Sequence, residues 1–284
     1  MYKRQPKRLL NYWQLHPKRQ LGQNFLIDPS TADMIVSRSK IDPKDVVLEI
    51  GSGLGALTIP LSRAAREVYA VEIDHALTSL LKAELDSQGI ENVTIIDHNI
   101  LRVDLQKIME TAGRKLIVFG NLPYNISSQV LIHLIKSRSA LKQAILMFQK
   151  ELARRISAGP GKKDYGRISA MLQSCADIKS IAEVKASQFF PKPKIDSQVL
   201  EINFNNWMDQ FVKEEDLFFN VIKAAFSKRR KTLKNALGTS AYFQDAKDAD
   251  HVLNNIGIDP IRRAETLTVE EFAKLSNEVY ERRK

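Results

Sequence analysis

The segment 46–74 constrains the fold more than any other part of the chain, because it predicts two buried strands joined by a glycine turn and a helix. The first strand covers 46–50 and is followed by glycines at positions 51, 53 and 55. An apolar-faced helix is predicted over 56–65, and a second strand over 68–74. A strand, helix and strand in this order form two parallel strands with a right-handed crossover. The segment therefore predicts an α/β fold built on a mainly parallel sheet.

The glycine turn and the acid that ends the second strand predict a site for a nucleoside cofactor. Glycines let the backbone pass close beneath a ligand, and a carboxylate at the tip of the next strand can accept both ribose hydroxyls. Glu72 follows Gly51 at close to the spacing of about 20 residues expected for such an acid. The pattern does not choose among cofactors, because Gly51, Gly53 and Ala56 also fit the dinucleotide-binding fingerprint.

Three more strands are predicted downstream, over 93–96, 116–119 and 144–148, with a helix over 127–137. The strand 93–96 runs into Asp97, His98 and Asn99, and the strand 116–119 stops at Gly120. Ligands of open parallel sheets bind beyond the carboxyl ends of the strands. The residues that follow these two strands are therefore candidates for the functional site.

The four residues after Gly120 can bind a flat heterocycle that carries an amino group. The side-chain oxygen of Asn121 and a main-chain carbonyl of Leu122 or Pro123 can accept its two hydrogens, while Tyr124 stacks on its face. An aromatic amine is a poor nucleophile because its lone pair is delocalised into the ring. Two acceptors favour a tetrahedral nitrogen and offset the charge that develops on attack. Taken alone, these residues also fit a tight turn with a half-buried tyrosine.

The composition is that of a globular protein with a sizeable core. The chain has 284 residues, of which 44% are hydrophobic, and Cys175 is its one cysteine, so an internal disulfide and a cysteine-rich metal site are excluded. No apolar run reaches the roughly 18 residues that span a bilayer, and residues 1–8 lack the apolar core of a secretory signal. We therefore expect a cytoplasmic protein.

The net charge of +10 makes a polyanionic partner plausible, and the basic residues are clustered. Residues 1–20 contain several lysines and arginines and no acid. Such a block is either a mobile, solvated arm or, with Tyr2, Tyr12 and Trp13 among the cations, a contact for single-stranded nucleic acid. A second cluster, 228–231, ends a predicted helix, where it either faces solvent or contacts phosphates.

The region after the fifth strand predicts a stiff segment and then a change of pattern. Phe189, Phe190, Pro191 and Pro193 predict an extended stretch that presents one aromatic ring opposite Tyr124, which would hold a base taken out of its stack. The other phenylalanine is expected in the core. After Asn205 the pattern becomes wholly helical, so we expect a basic arm over 1–20, an α/β domain over 21–205 and a helical domain over 206–284.

Along nearly its whole length the chain resembles the KsgA-type ribosomal RNA adenine dimethyltransferase family. The motifs that carry the resemblance occur in family order, and they cover 21–26, 49–55, 121–125, 149–151, 165–167, 189–197 and 226–233. The resemblance implies a class-I, Rossmann-like methyltransferase sheet with helices on both faces and a small helical C-terminal domain. It implies dimethylation of two adjacent adenosines near the 3′ end of small-subunit rRNA, with S-adenosylmethionine as methyl donor, during ribosome biogenesis.

The resemblance also assigns residues. The catalytic loop supplies Asn121, Leu122, Pro123 and Tyr124, and the cofactor contacts fall on Asn24, Leu26, Gly51, Glu72, Asn99 and Asn121. From the residue pattern itself, Phe189 is expected among the catalytic residues, and RNA contacts are expected at Lys192, Lys194, Lys228, Arg229, Arg230 and Lys231. No metal is implied. The family has Asp where this chain has Asn99, so either Asn99 or the nearby Asp97 is expected to meet the cofactor adenine. The expected partner is rRNA within an immature ribosomal subunit, bound by a monomer.

Three alternatives share part of these features. An Erm-type enzyme that methylates large-subunit rRNA has the same core motifs. A non-enzymatic nucleic-acid-binding relative would keep the basic surface without turnover. A nicotinamide-dependent oxidoreductase fits the glycine turn alone and leaves the loop after Gly120 and the basic clusters unexplained.

Overall fold

The computed structural model describes residues 5–123 and 125–283. Its strands are β1 (Phe25–Leu26), β2 (Val46–Ile50), β3 (Glu67–Glu72), β4 (Val93–Asp97), β5 (Leu116–Asn121), β6 (Leu141–Gln149), β7 (Ala176–Val184), β8 (Phe189–Phe190) and β9 (Ser197–Phe204). Its helices are α1 (Pro6–Tyr12), α2 (Pro29–Arg38), α3 (Thr58–Ala64), α4 (His75–Ser87), α5 (Leu105–Ala112), α6 (Ser127–Lys136), α7 (Lys150–Ser157), α8 (Arg167–Gln173), α9 (Trp207–Phe211), α10 (Glu215–Ala225), α11 (Leu233–Leu237), α12 (Ala246–Asn255) and α13 (Val269–Glu281). Short 3₁₀ turns cover Arg19–Leu21, Ile100–Arg102, Arg138–Ala140, Ala186–Gln188, Phe226–Lys228 and Ala264–Thr266.

Seven of the strands form one sheet in the order β4-β3-β2-β5-β6-β9-β7, which confirms the predicted α/β class. Strands β2 to β6 pair in parallel, whereas β9 runs antiparallel to β6. From β2 the chain first builds outward to β3 and β4, and it then crosses to β5 on the other side. This reversal leaves a crevice beyond the carboxyl ends of β2 and β5, where open α/β sheets bind ligands.

Helices cover the sheet because their apolar residues recur at helical spacing. In α4 the buried residues are Leu77, Thr78, Leu80, Leu81 and Leu85, which form one stripe. The Asp74 side chain accepts a hydrogen bond from the Ala76 amide and so caps this helix. All five residues of β2 are buried, as expected for a central parallel strand covered on both faces.

The N-terminal segment contains a packed helix, so its described residues are not the mobile, solvated arm that was one of its two interpretations. Pro6–Tyr12 forms the helix α1, in which Leu9 and Leu10 are buried against Phe25, Leu54 and Leu77. Lys7 and Arg8 of the same helix are exposed. The segment is thus amphipathic, and burial of its two leucines fixes it to the α/β part of the chain instead of leaving it in solvent. Tyr2, Lys3 and Arg4 lie outside the described residues.

The chain divides into two compact units, and their boundary differs from the predicted one. The first unit contains the residues up to Ala153 together with Ile178–Phe204, and the second contains Arg154–Asp177 together with the residues from Asn205 onward. The sequence places 154–177 in the α/β domain. These residues join the helical unit because the ring of Tyr165 packs edge-on against that of Phe226, with centroids 6.1 Å apart, and the Asn205 amide donates to the Cys175 carbonyl.

No helix in the described ranges combines the length and the hydropathy needed to cross a membrane.

The glycine turn after β2 allows a test of packing that is separate from backbone strain. Gly55 and Gly89 both have positive φ, 81° and 64°, but a Cβ at Gly55 would lie 2.7 Å from Leu81 Cδ1, whereas one at Gly89 would meet nothing within 4 Å. Gly89→Ala should cost about 1–2 kcal/mol of unfolding free energy, the strain of a left-handed alanine. Gly55→Ala should cost about 1–3 kcal/mol more, because Leu81 is fully buried and has little room to move.

Urea unfolding of both variants beside the wild type would measure these two costs. Equal destabilisation by the two substitutions would contradict the close packing of the turn against α4.

Candidate active site

A cavity lies at the carboxyl edge of the parallel strands in the first unit. The β-sheet register aligns Ile50 with both Val71 and Gly120, and Glu72 with Asp97, so the segments that follow four strands meet there. The cavity is lined by parts of the 21–26 segment, the glycine turn, the end of β3, residues 98–100 and the loop after β5. Five segments that are far apart in the sequence therefore share one site.

The glycine turn forms one wall of the cavity and needs its glycines. Gly51 and Gly53 have φ values of 73° and 54°, which residues other than glycine rarely adopt. A Cβ at Gly53 would also lie 3.2 Å from Cε1 of the Phe25 ring. Between them, the Ser52 hydroxyl is buried and has no hydrogen-bond partner among the described residues. The turn thus brings backbone and one unsatisfied polar atom to a ligand-sized space, which fits a polar ligand.

Glu72 ends β3 with its carboxylate held by three backbone amides. Gly53 N donates to Oε2 at 2.9 Å, and the amides of Ile73 and Asp74 donate to Oε1 at 2.9 and 3.0 Å. The side chain is only 7% exposed, and this burial raises the pKa of Glu72 above its ordinary value despite the three hydrogen bonds, which lower it. These three bonds use both lone pairs of Oε1 and one of Oε2, so Oε2 can still accept one hydrogen bond from a ligand hydroxyl.

Glu49 is a second buried acid at the cavity, and the sequence reasoning assigned it no role. Its side chain is 1% exposed and accepts a hydrogen bond from the Thr58 hydroxyl. Burial raises the pKa of Glu49 to about 8; the Thr58 hydrogen bond opposes this and the neighbouring Glu72 adds to it. An acid inside an otherwise apolar strand was the signal available in the sequence.

Asn121, the last residue of β5, lines the cavity. Asn121 Nδ2 donates to the backbone carbonyl of Asn24 at 2.8 Å. A carbonyl can only accept, so this contact fixes which end of the amide is nitrogen. The oxygen of the side chain is left for a ligand.

The carbonyls of the loop after β5 are not equivalent. The Pro123 carbonyl accepts from Ser127 Oγ at 2.8 Å and from the Ile126 amide at 3.3 Å, which occupies both of its lone pairs. Leu122 is buried, and its amide donates to the Met147 carbonyl. From the sequence, the main-chain carbonyl of either Leu122 or Pro123 could accept the second hydrogen of a bound amino group. These contacts favour the Leu122 carbonyl. Tyr124 lies outside the described residues.

The structure brings Asn99, rather than Asp97, to the cavity. Asn99 and His98 line it, and the Asn99 side-chain oxygen caps the following turn by accepting from the Leu101 amide at 3.0 Å. Asp97 is instead engaged by the His75 ring and, at 3.2 Å, by the Thr78 hydroxyl. Ile73, which follows Glu72 directly, is 45% exposed and also lines the cavity. An apolar side chain directly after the acid that ends β3 was the signal available in the sequence for this residue.

The expected catalytic role of Phe189 is corrected by the structure. Strand β8 pairs antiparallel with β1, so that Leu26 lies opposite Phe189 and Phe25 opposite Phe190. Phe189 is only 3% exposed and belongs to the core cluster that contains Leu26. A ring covered by core side chains offers no face to a base, so Phe189 is the core anchor of the pair. Asn24 and Leu26, by contrast, do line the cavity.

The predicted RNA-contacting residues are exposed and lie in both units. Lys192 and Lys194 belong to the first unit, and the cluster 228–231 to the second. Arg229 donates to the Lys163 carbonyl, and its Nε lies 3.6 Å from Glu265 Oε2. The Gly161 amide donates to the Glu265 carbonyl at 2.8 Å. The basic loop around 159–163 is therefore fastened by Arg229 and Glu265.

The buried Glu49 predicts a pH dependence of stability. The pKa of Glu49 is about 8 in the folded state, against an ordinary value of 4.5. As the pH rises, the unfolded chain therefore loses the Glu49 proton at a lower pH than the folded protein does. The stabilising effect of this proton is complete below pH 4.5 and is lost as the pH rises to about 8. Relative to Glu49→Gln, the wild type should therefore lose up to about 1.4 kcal/mol of unfolding free energy per pH unit in this window.

Urea unfolding at a series of pH values would measure this difference. Glu91→Gln, at an exposed glutamate, is the matched control and should follow the wild-type curve. Parallel curves for the wild type and Glu49→Gln would show that Glu49 is ionised in the folded protein.

Comparison with known proteins agrees with this geometry. The family model described as ribosomal RNA adenine dimethylase matches residues 15–279. A ribosomal RNA small subunit methyltransferase A from Desulforapulum autotrophicum is 50% identical over 97% of this chain and 96% of the relative. A protein of the same name from Alkaliphilus oremlandii is 38% identical over 95% of this chain and 94% of the relative.

Solved structures show the same fold. A dimethyladenosine transferase from Plasmodium falciparum superposes with a TM-score of 0.76 at 28% identity, covering 88% of this chain and 95% of that one. The 23S rRNA methyltransferase ErmE superposes with a TM-score of 0.66 at 20% identity, covering 90% and 99%. The family match spans the glycine turn, the loop after β5 and the helical unit together. The chain therefore belongs to the ribosomal RNA adenine dimethylase family and is an S-adenosylmethionine-dependent rRNA adenine methyltransferase.

Proposed function

We propose that this enzyme dimethylates two adjacent adenosines near the 3′ end of small-subunit rRNA, acting as a cytoplasmic monomer on an immature subunit. Relatives at 37–50% identity carry the small-subunit name, which supports this substrate over the large-subunit rRNA of Erm-type enzymes. The likeness to ErmE, at 20% identity, concerns the fold alone. The contact between Asn121 and Asn24 carries the chemical part of the proposal, because it orients an acceptor toward the cavity.

The cavity residues fit S-adenosylmethionine, which supplies an electrophilic methyl group on a sulfonium. Glu72 would accept a ribose hydroxyl at Oε2, since its carboxylate is held in place by backbone amides and Oε2 accepts only one of them. Asn99 would contact the adenine amine, and the exposed Ile73 offers an apolar surface to the adenine ring. Gly51 would let the backbone lie close to the methionine part, and Asn24 and Leu26 would complete the wall.

The target amine is proposed to bind between two oxygen acceptors. Asn121 Oδ1 is one, and the carbonyl of Leu122 is the other, because that of Pro123 already accepts two hydrogen bonds. Both acceptors gain strength as positive charge develops on the nitrogen, so they stabilise the transition state more than the bound substrate. Tyr124 is assigned from sequence alone to stack on the base. Because the amine has two hydrogens, the same site can transfer a methyl group twice.

The exposed cations are proposed to contact rRNA phosphates. Lys228, Arg230 and Lys231 are exposed in the second unit. Arg229 has a further role there, because it fastens the loop that carries Lys162 and Lys163. Lys192 and Lys194 are proposed contacts of the first unit. Phosphate contacts of this kind give affinity and register without reading the base sequence.

The first test of this proposal removes the oriented acceptor. Asn121→Ala should lower the single-turnover rate of methyl transfer about 10²–10³-fold, the usual effect of losing one acceptor that acts on developing charge. RNA affinity should stay nearly constant, because it comes mostly from phosphates. Single-turnover methylation of immature small subunits, measured beside RNA binding, separates the two effects.

Asn125→Ala is the matched control, since Asn125 lies in the same loop and its amide donates to the Gln20 carbonyl at 3.3 Å. It should lower the rate far less. A wild-type rate for Asn121→Ala would mean that the loop is structural. In a separate experiment, mapping of the methylated nucleotides would decide which rRNA is the substrate.

The second test concerns the basic cluster. Arg230→Gln should reduce the slope of log affinity against log salt by about one, the value for one lost phosphate contact. Lys213→Gln removes the same charge from the same unit, but Lys213 already pairs with Glu281, at 2.5 Å. This control should leave the slope unchanged. If both variants keep the wild-type slope, Arg230 is a solvated surface residue.

A further inference from the structure

The segment 18–24 is joined to the turn after β3 by a buried carboxylate. Lys18 Nζ lies 2.7 Å from Asp74 Oδ1, and Gln23 Nε2 donates to Asp74 Oδ2 at 2.8 Å. Gln23 is itself held, because its Oε1 accepts from the Lys18 amide at 2.7 Å. Asp74 is 4% exposed, whereas Lys18 is 46% exposed. One buried acid thus fixes both ends of a short loop.

The same segment contacts the loop after β5. The Asn24 carbonyl accepts from Asn121 Nδ2, and the Gln20 carbonyl accepts from Asn125 Nδ2. Gly22 has a φ of 64°, and a Cβ on it would lie 3.1 Å from the Pro123 Cβ. The segment 18–24 therefore passes between Asp74 on one side of the cavity and the Asn121 loop on the other.

Asp74 is also coupled to the proposed ribose-binding acid. Its amide donates to Glu72 Oε1 at 3.0 Å, and its side chain caps α4 through the Ala76 amide at 3.2 Å. Asp74 itself is not among the described residues that line the cavity. Asp74 is thus one hydrogen bond away from Glu72 and, through Gln23 and its neighbour Asn24, two hydrogen bonds away from Asn121.

We propose that Asp74 is a positioning residue for methyl transfer, which holds the Asn24 carbonyl where it orients the Asn121 side chain. The inference rests on the proposed role of Asn121. Without the bonds from Asp74 to Lys18 and Gln23, the segment 18–24 loses its anchor on the β3 side, and the Asn24 carbonyl is then restrained only from the β1 side. The Asn121 amide can then rotate or shift, and its oxygen loses the position needed by the target amine.

Asp74→Asn separates this role from helix capping. Asparagine caps a helix about as well as aspartate, so α4 keeps its N-cap. The pair with Lys18 loses its charge, and the amide nitrogen of the new side chain opposes the Gln23 amide, donor against donor. Asp28→Asn is the matched control, because Asp28 is the N-cap of α2, accepts from the Ser30 amide at 2.9 Å and lies in the same unit.

Single-turnover methylation at saturating S-adenosylmethionine and RNA is the main measurement. Asp74→Asn should lower this rate about 10–100-fold, the effect of a misplaced reacting group, while Asp28→Asn stays near the wild type. The Kd for S-adenosylmethionine, measured by calorimetry, should change much less than the rate. In the Asn121→Ala background, Asp74→Asn should have almost no further effect on the rate, because the group that it positions is gone.

Lys18→Met is a second variant, which leaves Asp74 and the cap of α4 unchanged. It should also lower the rate, but by less than Asp74→Asn does. An unchanged rate in both variants would overturn the proposal. So would a loss that is explained by weaker S-adenosylmethionine binding, or a full additional loss in the Asn121→Ala background. If Asn121→Ala keeps the wild-type rate, the proposed acceptor role of Asn121 is wrong, and the positioning role of Asp74 is rejected with it. If Asn121→Ala is slow while Asp74→Asn and Lys18→Met keep the wild-type rate, only the positioning role of Asp74 is rejected.

Discussion

The site depends on the pairing of β2 with parallel strands on both sides. Because β3 and β5 run in the same direction as β2, their carboxyl ends lie at one edge of the sheet, and each strand ends in a loop that faces the same space. Gly51, Glu72 and Asn121 are far apart along the chain and become neighbours only through this pairing. The backbone hydrogen bonds of the sheet thus set the distances on which the chemistry depends.

A second constraint follows from the burial of two carboxyl groups at that edge. Glu72 satisfies its charge with three backbone amides, whereas Glu49 has one hydroxyl donor and a raised pKa. Each is costly in an apolar surrounding, and both line the cavity at the carboxyl edge of the sheet. The polar groups of the site are therefore fixed in place by the protein itself, so little reorganisation is needed on binding.

The N-terminal residues are part of this arrangement. The leucines of α1 bury one part of the segment, and the short β1–β8 pair holds Phe25 and Leu26 beside the cavity. Between them, 18–24 is held by side-chain contacts to Asp74 and to the loop after β5. Residues 21–26 thus form one wall of the site. The preceding residues, which were expected to form a basic arm, are held beside this wall by the buried leucines of α1 and by the ion pair between Lys18 and Asp74.

Local pattern was sufficient for the α/β class, for the glycine turn with its acid and for the loop that carries Asn121. Each depends on residues close in sequence, whose periodicity and turn chemistry act locally. The motifs also identified the family. Tertiary packing decided three outcomes that no local pattern contains. The burial of Phe189 depends on the pairing of β1 with β8, and Asn99 rather than Asp97 lines the cavity because His75 and Thr78 engage Asp97. The residues 154–177 belong to the helical unit because of their contacts with residues after 204. These outcomes depend on contacts between segments far apart in the chain, and only the folded backbone sets their distances.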